Sequence, residues 1–146
     1  MLPLRETDPL FQRIAESFDR QTFARGIGMV LTVAEPGRVA VELPFDQGLT
    51  QQNGVLHAGV TTSLADTAAG FAALTLMPDD ANVMSVEFKI NLMAPAAGQR
   101  FVADAKVIRS GRTLSTVEAR VTAYDAAGKG AEVASFLGTM ICLRPR

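Results

Sequence analysis

Two side chains able to move protons stand near the middle of the chain, at positions 57 and 66. His57 is the only histidine, in the run Asn53-Gly54-Val55-Leu56-His57-Ala58-Gly59. Asp66 is the only ionisable residue of the apolar segment that follows, from Gly59 to Met77. Imidazole and carboxylate serve as general acids and bases, and a carboxylate also serves as a nucleophile. Before Asp66, the turn Leu56-His57-Ala58-Gly59 leads into a helix. The first N–H groups of a helix lack intrahelical acceptors, and the helix dipole adds to their attraction for negative charge. That turn therefore offers donors to an oxygen that becomes negative during a reaction.

The element that must position these groups is the helix itself. Val60, Leu64, Ala68 and Phe71 recur at helical spacing. They predict a helix of about 18 residues, Gly59 to Met77, stopped by Pro78. On a wheel, Val60, Leu64, Ala68, Phe71 and Thr75 share one side. Asp66 falls nearly opposite, beside Thr62, Ala69, Gly70 and Ala73. A surface helix carries long charged residues on its outer face. This one carries small residues and a single carboxylate, so both its sides are expected to be covered, with Asp66 where two surfaces meet.

Composition narrows the function. Hydrophobic residues make up 48% and charged residues 20% of 146 positions, a globular balance with enough chain for one domain. We expect that domain to span residues 1–146, with 1–26 as a helical extension. A net charge of -1 gives no basic patch for nucleic acid. One cysteine, Cys142, rules out an internal disulfide, and with one histidine a metal centre is not expected. Met1-Leu2-Pro3-Leu4-Arg5-Glu6 has no signal-peptide pattern. No apolar run reaches membrane-spanning length. The expected compartment is the cytoplasm.

Taken in order, Asp8-Pro9 reads as N-cap and first residue of an amphipathic helix through Leu10, Phe11, Ile14 and Phe18, ending near Arg20 to Phe23. It either packs on the body of the protein or acts as a lid. From Gly28 the period becomes two: a strand Met29–Ala34, a turn Glu35-Pro36-Gly37 and a return strand Arg38–Leu43. After the central helix come four strands, Val83–Met93, Arg100–Ile108, Thr113–Tyr124 and Glu132–Leu143, joined by turn-rich links. Links of hairpin length imply an antiparallel sheet. One long apolar helix on a curved antiparallel sheet is an α+β arrangement, the outline of a hotdog fold.

The run Gln51-Gln52-Asn53-Gly54-Val55-Leu56-His57-Ala58-Gly59, followed by Leu64-Ala65-Asp66-Thr67-Ala68, resembles the phenylacetyl-CoA thioesterase-like (PaaI-type) branch of the hotdog acyl-CoA thioesterases. Two further pieces match: Val83 to Leu92 with Ala94-Pro95, and Arg109-Ser110-Gly111-Arg112-Thr113-Leu114. The resemblance covers residues 27 to 143. It implies hydrolysis of an aryl- or short- to medium-chain acyl-CoA, with coenzyme A as part of the substrate and no other cofactor. It implies a homodimer, paired again into a homotetramer, with sites across the seam.

The resemblance also assigns roles. The N–H of Ala58 is the oxyanion donor, with Gly59 nearby. Ala58 stands where relatives more often have Gly, and a positive φ there would strain it. Asp66 is the general base or the nucleophile. Gln51 holds water or the carbonyl, with Gln52 and Asn53 close enough to share that task. Ser85 lies beside the attacking water. His57 is a catalytic base or a brace for the turn. Arg109 and Arg112 hold coenzyme A phosphates or are solvated hairpin charges. Two other functions fit the outline: a non-catalytic acyl-CoA-binding regulator, and a hotdog enoyl-CoA hydratase or dehydratase.

Overall fold

The computed structural model describes residues 7–146; the opening Met1 to Glu6, read above for a signal peptide, lies outside the described residues. Helix α1 spans Pro9–Asp19, α2 Thr22–Gly26 and α3 Ala58–Leu74. The strands are β1 Val30–Glu35, β2 Arg38–Pro44, β3 Asn82–Leu92, β4 Arg100–Ser110, β5 Leu114–Tyr124 and β6 Gly130–Leu143. They form one antiparallel sheet in the order β1-β2-β4-β5-β6-β3. The sheet wraps α3, which lies mainly against β4, β5 and β2. This is the hotdog arrangement expected from the sequence.

Small side chains let helix and sheet approach closely. The inner positions of the middle strands are Phe101, Ala103 and Ala105 on β4 and Val117, Ala119, Val121 and Ala123 on β5, all buried. Opposite them lie Leu64, Ala65, Ala68 and Ala72 of α3, fully buried. Alanine is also the strongest helix former, so packing and local preference agree here.

α3 ends three residues earlier than the spacing predicts. Met77 N–H donates to Leu74 O and Leu76 N–H to Ala73 O, a tighter final turn. The hydroxyl of Thr75 donates to Ala72 O at 2.6 Å and accepts from Gly37 N–H at 2.8 Å, tying the helix end to the β1–β2 turn. Arg13 of α1 completes the end, donating to Leu74 O and Met77 O and pairing with Asp79. A cation on the last carbonyls satisfies orphan acceptors and suits the dipole.

α1 packs on the body of the protein. Asp8 caps it, accepting from Leu10 N–H at 2.8 Å. Ile14 and Phe18 are buried, and the Phe18 ring lies 5.5 Å from that of Phe71. The single helix expected to run to Arg20 or Phe23 breaks at Arg20, with Gln21 opening α2. α1 covers the C-terminal half of α3, so part of the second surface demanded by its small residues comes from the same chain.

The link after β3 is not a hairpin, contrary to its length. β3 pairs with β6, and β4 pairs with β2 and β5. Ala96 of the link is buried, and its carbonyl accepts from Leu56 N–H at 3.1 Å, so the link is anchored at the entrance to α3. Gly98 then passes so close to Tyr124 that a Cβ would meet its carbonyl oxygen at 2.7 Å.

The two sheet edges differ. β1 has six residues, a bulge between Leu31 and Val33, and α1 packed against it. Such features blunt an edge. β3 has eleven residues, and Met84, Val86, Phe88 and Leu92 are 60%, 55%, 42% and 50% exposed. No helix of the described residues is long and apolar enough to cross a membrane.

Candidate active site

The Gln51 to Gly59 segment is held by its own hydrogen bonds. Gly54 takes a positive φ of 80°, and its N–H donates to Gln51 O at 3.0 Å. Gln51 N–H donates to Val55 O, and the Gln51 side-chain oxygen accepts from Asn53 N–H. That bond occupies the amide oxygen of Gln51 and leaves its NH₂ group as the free donor.

His57 ends this turn as the N-cap of α3. Its Nδ1 accepts from Gly59 N–H at 2.8 Å. An accepting Nδ1 places the ring proton of the neutral imidazole on Nε2. The Gly59 bond is the contact that the bracing role requires, and it leaves Nε2 outside the turn's own hydrogen bonds. A side chain at position 59 would crowd that ring, since a Cβ there meets Nδ1 at 3.0 Å. Replacing His57 by Ala should cost about 0.5–2 kcal/mol, as for other lost N-caps, and His57→Asn should restore most of it. Denaturant unfolding of the two variants checks this.

Ala58 is the first residue of α3, and no residue other than glycine has a positive φ among the described residues. The strain feared for Ala at this position is absent. Neighbouring N–H groups are occupied: His57 donates to Leu49 O, Gly59 to the His57 ring, and Val60 and Thr61 to His57 O. The N–H of Ala58 has no acceptor among the described residues. It lines a cleft of about 380 Å³ together with Gln51, Thr61, Leu92, Met93 and Pro95. An unpaired N–H at a helix start beside a free amide NH₂ is a place for a carbonyl oxygen that gains negative charge.

Asp66 belongs to a different cavity. It is half-buried on α3, facing β3, where Ser85 Oγ donates to its Oδ1 at 2.6 Å. That length fits a charge-assisted O–H···O⁻ bond, worth about 1.5–3 kcal/mol. The bulge of β3 sets this contact. Ser85 lies opposite Met140, and the extra residue before Glu87 resets the alternation so that Phe88, opposite Gly138, stands on the same sheet face, its ring 5.1 Å from Phe136 while its outer side stays open at the sheet edge. Asp66, Ser85 and Thr67 line a cavity of about 100 Å³ with Gln21, Gly70 and Phe71. Gln21 was not singled out from the sequence. Nothing in its position after an amphipathic helix signals a site; only the fold carries it to Asp66.

The sequence-derived residues therefore fall into two groups. Gln51, His57, Ala58 and Gly59 stand at one end of α3; Asp66 stands eight residues beyond Ala58, a rise of about 12 Å along the helix, with Ser85 of β3 beside it. Gln52 and Asn53 are exposed in the turn, off the cleft lining. Arg109 and Arg112 are exposed at the β4–β5 hairpin. Ser110 pairs with Ser115, Ser115 with Met140, and Met140 with Ser85, so that hairpin shares a row with the Asp66 end of the site. Within one chain neither arginine lines the cleft at Ala58.

Comparison with known proteins places this arrangement. The family model of the thioesterase superfamily matches residues 53–127. Human acyl-coenzyme A thioesterase 13 is 31% identical over 118 residues, 80% of this chain and 84% of that protein. A crystal structure of a thioesterase family protein from Silicibacter pomeroyi superposes with a TM-score of 0.91 at 38% identity, covering 93% of this chain and 99% of the other. The E. coli PaaI protein, from the phenylacetic acid degradation operon, superposes at 0.79 over 94% of each chain, and its 20% identity makes that a likeness of fold. By sequence and by architecture, the chain belongs to the thioesterase superfamily, and it is a thioester hydrolase.

Proposed function

We propose that the protein hydrolyses the thioester of an aryl- or short- to medium-chain acyl-CoA in the cytoplasm, as a homodimer whose β3 edges meet, paired again into a tetramer. The carrying observation is the division of the site. The unpaired Ala58 N–H and the Asp66 carboxylate lie on one rigid helix in separate cavities, too far apart to touch one carbonyl group. The long apolar edge of β3 is a surface that a second copy would cover. A two-fold partner brings the Asp66 end of one α3 to the Ala58 end of the other. Coenzyme A enters as part of the substrate, and the chemistry calls for no other cofactor.

In that arrangement the thioester oxygen accepts from Ala58 N–H and from the Gln51 NH₂ group. As charge moves onto the oxygen, both bonds strengthen. The partner's Asp66 removes a proton from water as the water oxygen bonds to the carbonyl carbon, or its carboxylate attacks that carbon directly. Collapse of the tetrahedral species breaks the C–S bond: in the first case Asp66 returns the proton to sulfur, and in the second sulfur leaves as thiolate and a water then cleaves the acyl–Asp66 anhydride, releasing the acid, restoring the carboxylate and giving its other proton to the thiolate. Ser85 holds one oxygen of Asp66, so the other is aimed at the reaction.

Release of free thiol from a panel of acyl-CoAs, followed with a thiol reagent, tests this. Binding without release would instead mark a non-catalytic acyl-CoA-binding protein, and hydration of an enoyl-CoA would mark a hydratase. Arg109 and Arg112 serve the nucleotide end. Replacing both by Ala is expected to raise KM for acyl-CoA several-fold and leave hydrolysis of small thioesters without coenzyme A unchanged. Equal KM values in the acyl-CoA titration would return these residues to plain hairpin charges.

A further inference from the structure

Two oppositely charged side chains stand on the open edge strand. Glu87 and Lys89 of β3 are both exposed and flank Phe88, on the sheet face away from α3. On β6 they lie opposite Thr139 and Leu137. Glu87 accepts from the Thr139 hydroxyl at 2.5 Å. Lys89 has no hydrogen bond or ion pair among the described residues, and β6 offers it no acid. The backbone beside them is also open. Met93 N–H donates to Val133 O at 2.8 Å, and the register from Glu87 to Leu92 is unbroken. Backbone groups alternate along a strand. Residues 87, 89 and 91 therefore turn theirs to β6, and residues 88, 90 and 92 turn theirs to the free edge.

A second copy that pairs antiparallel on this edge, about a two-fold axis, must set outward groups against outward groups. That holds when the axis passes through a residue of β3 and fails when it passes between two. The site narrows the choice. Leu92 and Met93 line the cleft at Ala58, and Val83, Met84 and Ser85 line the cavity at Asp66. For the cleft of one chain to meet the Asp66 cavity of the other, these two stretches must lie across from one another, and residue 88 is halfway between them. Charge separates it from its neighbours. An axis through Glu87 sets two carboxylates face to face, and an axis through Lys89 sets two ammonium groups face to face. Like charges directly opposite weaken a strand pair, and opposite charges strengthen it. An axis through Phe88 sets Glu87 across from the partner's Lys89, and Lys89 across from the partner's Glu87.

We propose that Glu87 and Lys89 fix the register of a two-fold β3 seam whose axis passes through Phe88, and that this register brings the partner's Asp66 to the Ala58 cleft. The occupant of the apolar edge is a second copy of this chain. The proposal rests on the two-copy reading of the site given above. Moving the axis by one residue slides the partner by two, about 7 Å along the strand. That distance separates a water on the carboxylate from a carbonyl held at Ala58. Glu87 and Lys89 thus act on the reaction as positioning residues, without touching the substrate.

The test compares Glu87→Lys, Lys89→Glu and the double variant with the wild type, as full chains. Sedimentation over a dilution series gives the dimer dissociation constant, and thiol release is followed with whichever acyl-CoA the wild type hydrolyses best. Each single variant makes both cross-seam pairs repulsive and should raise the dissociation constant about tenfold or more, with activity per chain falling on dilution in step. The double variant restores both pairs in reverse and should return to within about threefold of wild type. A harmless Glu87→Lys, a harmless Lys89→Glu, or a double variant as weak as the single ones would overturn the proposal. Should a charge variant fail to fold, cysteine linking decides. Glu87→Cys and Lys89→Cys, each combined with Cys142→Ser, are refolded together and oxidised. Directly opposite residues that exchange no backbone bonds have Cα atoms about 4.5 Å apart, within reach of a disulfide. A linked dimer is expected from the mixture and from neither variant alone. Linking of one variant by itself overturns the register and leaves the seam in place. No linking in any combination, with the wild type still releasing thiol, overturns the β3 seam as well.

Discussion

Asp66→Asn is expected to lower kcat for acyl-CoA hydrolysis by about 10²–10⁴-fold, the usual cost of losing a general base. A lost nucleophile should cost at least as much. Asn has the size of Asp, and its amide oxygen still accepts from Ser85 Oγ, so the contact between α3 and β3 survives. Asp66 is half-buried and its hydrogen bond with Ser85 is solvent-exposed, so removing its charge leaves no buried partner unpaired. KM, the oligomer and the unfolding midpoint should stay close to wild type. The measurement is steady-state thiol release, with light scattering on the same sample. An Asp66→Asn protein within a fewfold of wild type would remove the carboxylate from the mechanism.

The second large effect should come from a single backbone hydrogen. Ala58→Pro replaces the N–H by a ring Cδ, which removes the donor and occupies part of the space in front of it. Ala58 is the first residue of α3, where Pro is favoured because its ring suits the helix and its missing donor was unpaired already. His57 before it has φ -58° and ψ 137°, the extended backbone that a residue preceding Pro prefers. Folding should therefore be preserved. Loss of one oxyanion donor costs about 10²–10³ in kcat. If Gln51 alone carries the oxygen, the fall will be smaller than tenfold, and the assignment of Ala58 fails.

The same two variants report on the seam. A site built from one chain cannot be repaired by mixing Asp66→Asn with Ala58→Pro. A site built from two can. In a hybrid dimer one site joins an intact Ala58 to an intact Asp66, and the other carries both defects. With random exchange half the dimers are hybrid and half their sites are sound, so about a quarter of wild-type activity should return. Mixed, unfolded and refolded subunits that stay as inactive as their parents would place both groups of each site in one chain.

Much of this molecule was legible in the residues. The 3.6-residue period of Val60, Leu64, Ala68 and Phe71 marks α3, and period two marks the strands to within two residues, because one buried face must repeat at the period of the backbone. The isolation of Asp66 on a helix without other charge marks it as unusual, and the structure gives it a partner in Ser85. Pairing was harder. The β3–β4 link is as short as a hairpin, yet β5 and β6 lie between the two strands in the sheet, since link length bounds the distance between strand ends and not their pairing.

What the sequence determined by itself is what repetition and residue type can carry: the helix, the strands, the capped turn and the chemistry available to His57, Ala58 and Asp66. What only the tertiary structure decided is which of those groups share a space. His57 became a cap because its ring folds back onto Gly59 N–H. Ser85 meets Asp66 because a bulge in β3 resets which side chains share its sheet face. Gln21 reaches the same cavity because the interruption between helices α1 and α2 falls beside Gly70 and Phe71. Such contacts join residues tens of positions apart, and they depend on packing angles that no local pattern of side chains encodes.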